Sequence, residues 1–223
     1  VAASQVGRDL RDRFLRKVLR REVLRPWMRH RELDLLCELL IRLRPQRCLE
    51  WGAGYSTAFF PGLLDPAATW LAVEHDGAWA ARVAALAARP GTTVVHVAPN
   101  RFPWSDPAGE GTLDDLYDYV ERPTGGAPYD FILVDGRARP ACWAKAPALL
   151  APGGVLVLHD ANRALYAPLC SGELVRLVLR DRRRSAGGVC IASRRPSLAG
   201  LVDAAAQERL WAWYRRAGAF IHL

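Results

Sequence analysis

Apolar and polar positions change period several times along the chain. Residues 8–24 alternate Arg and Asp with Leu10, Phe14, Val18 and Leu19 at helical spacing. This predicts an amphipathic helix with a basic face, ended by Pro26. Leu33, Leu36, Leu40 and Leu43 stripe a second helix over 31–43, stopped at Pro45. From residue 46, short and nearly all-apolar runs alternate with helix-period segments. Strands are predicted at 46–51, 70–74, 92–97, 130–134 and 155–159, with helices at 56–64, 77–88 and 138–150. Pro152-Gly153-Gly154 reads as the turn into the fifth strand. Runs at 173–179 and 189–193 form a closing hairpin across the basic segment 180–188, and a last helix spans 197–216. Alternating strands and helices with fully apolar strands predict an α/β fold, a parallel sheet covered on both faces.

The densest signal is Arg47-Cys48-Leu49-Glu50-Trp51-Gly52-Ala53-Gly54-Tyr55-Ser56-Thr57, followed by Val73-Glu74-His75-Asp76. An apolar strand ends in an acid, two glycines follow, and hydroxyls open a helix. Glu74 ends the next strand, 20 residues past Gly54. This layout suits an adenosine-type ligand on the C-terminal edge of a parallel sheet. Thr57 stands where the third glycine of a dinucleotide fingerprint would fall, and Glu50 would repel a pyrophosphate. A ligand with an ammonium and a sulfonium is attracted instead, which points to S-adenosylmethionine. Gly52 and Gly54 are expected to let the backbone approach it. Glu50 and Ser56 are expected at its methionine end, Glu74 on the ribose hydroxyls, and Asn100 beside the adenine. Asp76 is expected to cap the next helix, and His75 to be an adjacent wall residue.

These motifs, with Tyr129-Asp130-Phe131-Ile132-Leu133-Val134-Asp135-Gly136 and Leu150-Ala151-Pro152-Gly153-Gly154-Val155-Leu156-Val157-Leu158-His159-Asp160, resemble the class I S-adenosylmethionine-dependent methyltransferases over about residues 45–195. The resemblance implies a Rossmann-like, doubly wound seven-stranded sheet of order 3-2-1-4-5-7-6 with strand 7 antiparallel. Residues 1–44 then form an N-terminal helical extension and 45–223 the methyltransferase domain. Asp135 and Asp160 end neighbouring strands about 4.8 Å apart. They can converge beside the transferable methyl, as in the catechol- and macrocin-type O-methyltransferases, where such a pair holds Mg²⁺. Those enzymes have a further carboxylate or amide directly after the second acid, whereas Ala161 stands here. Without a metal, Asp135 would orient cofactor or substrate and Asp160 would cap a helix. His159 is the candidate general base, with a purely structural role as the alternative.

Composition narrows the partners. The chain has 223 residues, 51% of them apolar, enough for one domain with a sizeable core. Its formal charge is +8, yet of 31 basic residues only Lys17 and Lys145 are lysines. Many arginines fall singly on helix faces, a weak footprint for nucleic acid. The segment 98–128 is long for a loop and suits a lid or specificity role. It sets Phe102, Trp104, Tyr117 and Tyr119 beside Asp114, Asp115 and Asp118. That mixture suggests a sugar, phenol or amine-bearing acceptor and would repel a phosphate backbone. Arg137, Arg139 and Arg163 near the same edge could bind an anionic group, although solvated arginines are the commoner outcome. Five unpatterned cysteines imply a reduced, cytoplasmic setting. No apolar run reaches membrane-spanning length, and the N-terminal helices are expected to pack on the domain or pair two subunits. The resulting expectation is O-methylation of a small molecule. N-methylation, aminopropyl transfer and non-catalytic cofactor binding are the alternatives.

Overall fold

The computed structural model describes residues 1–106 and 108–217. Seven strands form one sheet of order β3-β2-β1-β4-β5-β7-β6. They are β1 (Arg47–Trp51), β2 (Thr69–Glu74), β3 (Thr92–His96), β4 (Tyr129–Val134), β5 (Leu150–His159), β6 (Val175–Leu179) and β7 (Val189–Ser193). All neighbours pair in parallel except β7, which is antiparallel to both β5 and β6. The expected topology is thus present.

Strand alternation divides the core. Cys48, Trp70, Phe131, Leu133, Val155 and Val157 face one side of the sheet, and Leu49, Trp51, Ile132, Val134, Leu156 and Leu158 the other. On the first side lie α2 (His30–Leu43), α3 (Tyr55–Phe59) and α7 (Ala204–Ala217), with α1 (Ala2–Lys17) stacked on α2. On the second side lie α5 (Tyr117–Glu121) and α6 (Arg139–Leu149). α4 (Gly77–Leu86) packs at the β3 end. α2 belongs to the core of the sheet: Leu33, Leu35, Leu36, Leu39 and Leu40 are all buried, each contributing about 1.5–3 kcal/mol. It ends at Arg44, which turns left-handed at φ 50° just before Pro45.

Several boundaries differ from the pattern-based expectation. The first helix begins at Ala2 and stops at Lys17, not Leu24. The chain then folds back so that Arg25 can pair with Asp12 and so that Asp9 can accept from His30, whose Nδ1 lies 2.8 Å away. α1 is also inverted. Gln5, Asp9 and Asp12 are its buried residues, while Leu10, Phe14 and Val18 are exposed. Ion pairing with the 25–34 segment outweighs the apolar stripe. Pro152–Gly154 is not a turn but a bulge within a continuous β5: Tyr129 pairs with Leu150, then Phe131 with Val155. Pro61 tightens the end of the third helix into a 3₁₀ turn over Phe60–Leu63. The last helix starts at Ala204, after a turn at Gly200 (φ 82°).

Candidate active site

The C-terminal ends of β1, β2, β4 and β5 carry the candidate residues. At the β1 turn Gly52 has φ 99°, a left-handed torsion. A Cβ there would stand 2.3 Å from the Gly136 Cα, so the turns after β1 and β4 touch through glycine backbones. Gly54 is different. Its φ of −166° is extended backbone open to any residue, and a Cβ would meet only Ser56 Oγ, at 3.6 Å. The expected torsional need holds at Gly52 alone; Gly54 leaves room beside the turn.

Glu50 lies on the α2 face of the sheet with no exposed surface. Ser56 donates to its Oε1; Thr57 (2.7 Å) and Trp70 Nε1 (2.8 Å) donate to Oε2. Burial raises its pKa to about 7 against the lowering effect of those three donors. Its oxygens are therefore spent on shaping the turn, and direct contact with a ligand is closed to it. Ser56 is buried in the same contact.

Glu74 is nearly buried, and its Oε1 accepts the backbone N–H groups of His75 (2.9 Å) and Asp76 (3.0 Å). Its Oε2 makes no hydrogen bond to any described residue, so one oriented carboxylate oxygen is left for a ligand. Asp76 caps α4 as expected, accepting from the Trp79 N–H at 2.9 Å. His75 is a wall residue, stacked on Trp104 at 5.5 Å. Asn100 is exposed, and its amide is consumed by Asp118: Nδ2 donates to Oδ2 at 2.8 Å, and Oδ1 accepts the Asp118 N–H at 2.9 Å. It ties the 98–118 segment together; it is not aimed at a ligand.

At the other end of the edge, Asp135, His159 and Asp160 do converge, with one ligating atom from each within 4.8 Å of the others. Alternation puts Asp135 and His159 on the α2 face. It would send Asp160 away, but Asp160 takes φ 62° and turns its carboxylate back. His159 Nδ1 lies 2.9 Å from Asp135 Oδ1, and its Nε2 lies 3.6 Å from Glu32 Oε2 on α2. Burial works to lower the His159 pKa, yet Asp135, then Glu32 and Asp160, raise it well above the ordinary value. These carboxylates favour the protonated ring and work against the expected neutral base.

Arg139, on the first turn of α6, spans both acids. Its Nη1 lies 3.1 Å from Asp160 Oδ2 and its Nη2 3.3 Å from Asp135 Oδ1. It also donates to the carbonyls of His159 (2.9 Å) and Asp135 (3.1 Å). Asp160 further accepts from Gly187 N–H, and Arg163 stands 3.3 Å from it. Burial opposes ionisation of Asp160, but His159 and then Arg139 hold its pKa below the usual range.

Sequence reasoning missed the outer members of this network. Glu32 is fully buried; it pairs with Arg183 and accepts the Gly188 N–H at 2.9 Å. Burial alone would raise its pKa, but Arg183 first, then His159 and Arg31, hold it far below the carboxylate range. Glu110, from the long 98–128 segment, pairs with Arg163 and accepts from Tyr166 Oη at 2.5 Å. Arg137 lies over the Trp104 ring at 5.5 Å. Arg139 and Arg163 are thus engaged by internal acids, whereas the Arg137 side chain is 38% exposed and 4.0 Å from Glu110. Two of the loop acids are likewise committed, Asp115 buried against Ser105 and Thr112 and Asp118 holding Asn100, while Asp114 is exposed, 3.9 Å from Arg101. The only signal that could have found Glu32 is an acid in the first turn of an amphipathic helix, beside the apolar stripe.

No protein-family model matches the chain, and no curated protein matches it. Solved structures do. The O-methyltransferase TomG from Streptomyces achromogenes, solved in complex with SAM, is 21% identical over 74% of this chain and 85% of its own, with TM-score 0.50. An O-methyltransferase from Bacillus cereus in complex with SAH is 16% identical over 73% of this chain and 80% of its own (TM-score 0.55). A methyltransferase from Geobacter sulfurreducens is 13% identical over 87% and 90% (TM-score 0.53). The fold is that of the class I methyltransferases. All five cysteines are free, and no helix among the described residues is long and apolar enough to cross a membrane.

Proposed function

We propose that the protein is an S-adenosylmethionine-dependent methyltransferase that methylates a hydroxyl of a small molecule, in a reducing, cytoplasmic setting. The observation that carries this reading is the unengaged Oε2 of Glu74 beside the open, Cβ-free space at Gly54. An adenosine ribose has the paired hydroxyls for that oxygen, and the Gly54 space admits the methionine chain. The bound cofactor supplies a methyl group on a positively charged sulfur. The chain's own residues align and desolvate the acceptor. Asp135 is the group placed to take the acceptor proton. Its Oδ1 is tied to His159 and Arg139, its side chain is 21% exposed, and Oδ2 has no described partner. His159 and Asp160 are positioning residues for it. The His159 ring orients Asp135, and Asp160 fixes Arg139.

The Asp135–His159–Asp160 cluster does not fit Mg²⁺. A hard cation seeks six oxygen ligands. Here a guanidinium already bridges the two carboxylates, and the third group is an imidazole, a nitrogen donor where Mg²⁺ prefers oxygen. We therefore assign a metal-independent reaction, with Arg139 neutralising the acids. The O-methyltransferases among the structural neighbours support oxygen as the acceptor atom.

Calorimetry with S-adenosylhomocysteine on wild type and Glu74→Ala tests the reading. Losing a charge-assisted hydrogen bond worth about 1.5–3 kcal/mol should weaken binding roughly 10- to 100-fold. Equal affinity for both proteins would overturn the ribose assignment, and no binding by wild type would overturn the function.

A further inference from the structure

A cleft of about 580 Å³ opens between α1, the 25–29 segment and Arg183. Its size lies within the range of small-molecule sites, about 300–1,000 Å³. It adjoins the candidate active site at both ends. On one side Arg183 is shared with Glu32, the partner of His159. On the other, the Trp27 ring lies 5.8 Å from that of Tyr55, the residue after Gly54. The cleft thus touches residues next to the candidate site on both sides.

Its lining is strongly basic. Arg13, Arg16, Lys17, Arg25, Arg29 and Arg183 face it, against Asp9 and Asp12 alone. Both acids are already engaged, Asp12 by Arg25 and Asp9 by His30. The guanidinium groups of Arg16 and Arg29 form no hydrogen bond or salt bridge with a described residue, although the Arg29 backbone N–H donates to Glu32 Oε2 at 2.7 Å. Both are drawn partly out of water, and burial followed by a neighbouring cation, Arg25 for Arg16 and Arg183 for Arg29, lowers the pKa of each. The acids nearest them, Asp12 for Arg16 and Asp9 and Glu32 for Arg29, are already paired with Arg25, His30 and Arg183, and an oxyanion ligand would give each guanidinium a partner of its own with bidentate hydrogen bonds. Trp27, 69% exposed at the rim, offers an aromatic face for an apolar part of the same molecule.

We propose that this cleft binds an anionic oxyacid group, a phosphate or a carboxylate, carried by the methyl acceptor. The proposal rests on the methyltransferase reading and replaces the amine-bearing acceptor suggested by the loop acids. The N-terminal segment then recognises the substrate as well as covering the sheet.

The test is calorimetry on protein saturated with S-adenosylhomocysteine, using phenyl phosphate, benzoate and phenol as probes. At least one anion should bind wild type, more tightly than phenol. Arg29→Ala and Arg16→Ala should each weaken it by about tenfold or more, ~1.4 kcal/mol, and Arg29→Lys should retain part of the affinity. S-adenosylhomocysteine binding and the melting temperature should be unchanged in these variants. The tighter of the two anions identifies the group. Failure of both anions to bind, equal affinity in wild type and both alanine variants, or phenol binding as tightly as the anions would overturn the proposal. Failure of S-adenosylhomocysteine to bind wild type would instead overturn the methyltransferase reading.

Discussion

The two halves of the sheet edge are built in opposite ways. At the β1–β2 half, polar contacts are local in sequence: Glu50 meets Ser56, Thr57 and Trp70, and Glu74 meets His75 and Asp76. No fixed cation pairs with Glu50, and its charge is suppressed by burial. At the β4–β5 half, the contacts join distant segments. Glu32 meets Arg183 151 residues away and Gly188 156 away; Arg163 meets Glu110 53 away. Every acid there has a cation. One half is a pre-shaped turn; the other is an ion network assembled by the completed fold. A cationic nucleoside suits the first because its own charge supplies what the turn lacks. A low-dielectric site that orients an acceptor suits the second.

The largest expected effect lies in the network. Glu32→Ala takes from Arg183 and His159 the fully buried counter-charge they share, leaving Asp181 to the one and Asp135 to the other, which should cost about 3 kcal/mol in urea unfolding at neutral pH. A loss below ~1 kcal/mol would show that the network is not a stabilising unit. Next comes a pH effect in the opposite half. The folded pKa of Glu50, about 7, lies above its ordinary 4.5. The stability that protonated Glu50 confers is therefore complete below about pH 4.5 and is lost as pH rises through about 7. The unfolding free energy of wild type relative to Glu50→Gln should fall across that window, by up to about 3 kcal/mol. A pH-independent difference would remove Glu50 from the titrating groups.

A smaller effect separates turn shape from ligand space. Gly54→Ala should leave thermal stability within about 0.5 kcal/mol, because its backbone and surroundings accept a Cβ, yet weaken S-adenosylhomocysteine several-fold. Gly52→Ala should instead destabilise the fold, since its Cβ collides with Gly136. Equal behaviour of the two variants would erase the distinction. The smallest expected effect is none: methyl transfer should be the same in chelator and in Mg²⁺. Loss of activity in chelator with recovery on adding Mg²⁺ would show that Arg139 yields the site to a metal.

The legibility of each half follows from the range of its contacts. The strands and helices, the glycine turn and the strand-end positions of Glu74 and Asp135 were readable because period and spacing are properties of neighbouring residues, whereas the strand order came from the family resemblance. Convergence of Asp160 with His159 was not. Alternation forbids it, and only the φ of 62° at Asp160 permits it. The inward face of α1 was read backwards, because its apolar stripe is the stronger local signal while its packing is set by the partners of Asp9 and Asp12.

By itself the chain's order of residues determined the alternation of strands and helices and the glycine turn after β1, since periodicity and backbone torsion answer to local pattern. The tertiary structure alone decided which charges meet. The charge favoured at His159 and the engagement of Arg139 depend on counter-charges brought from 21 to 127 residues away, Asp160 for Arg139 and Asp135 and Glu32 for His159. Electrostatic energy depends on distance in space and on burial, and neither can be read along a chain.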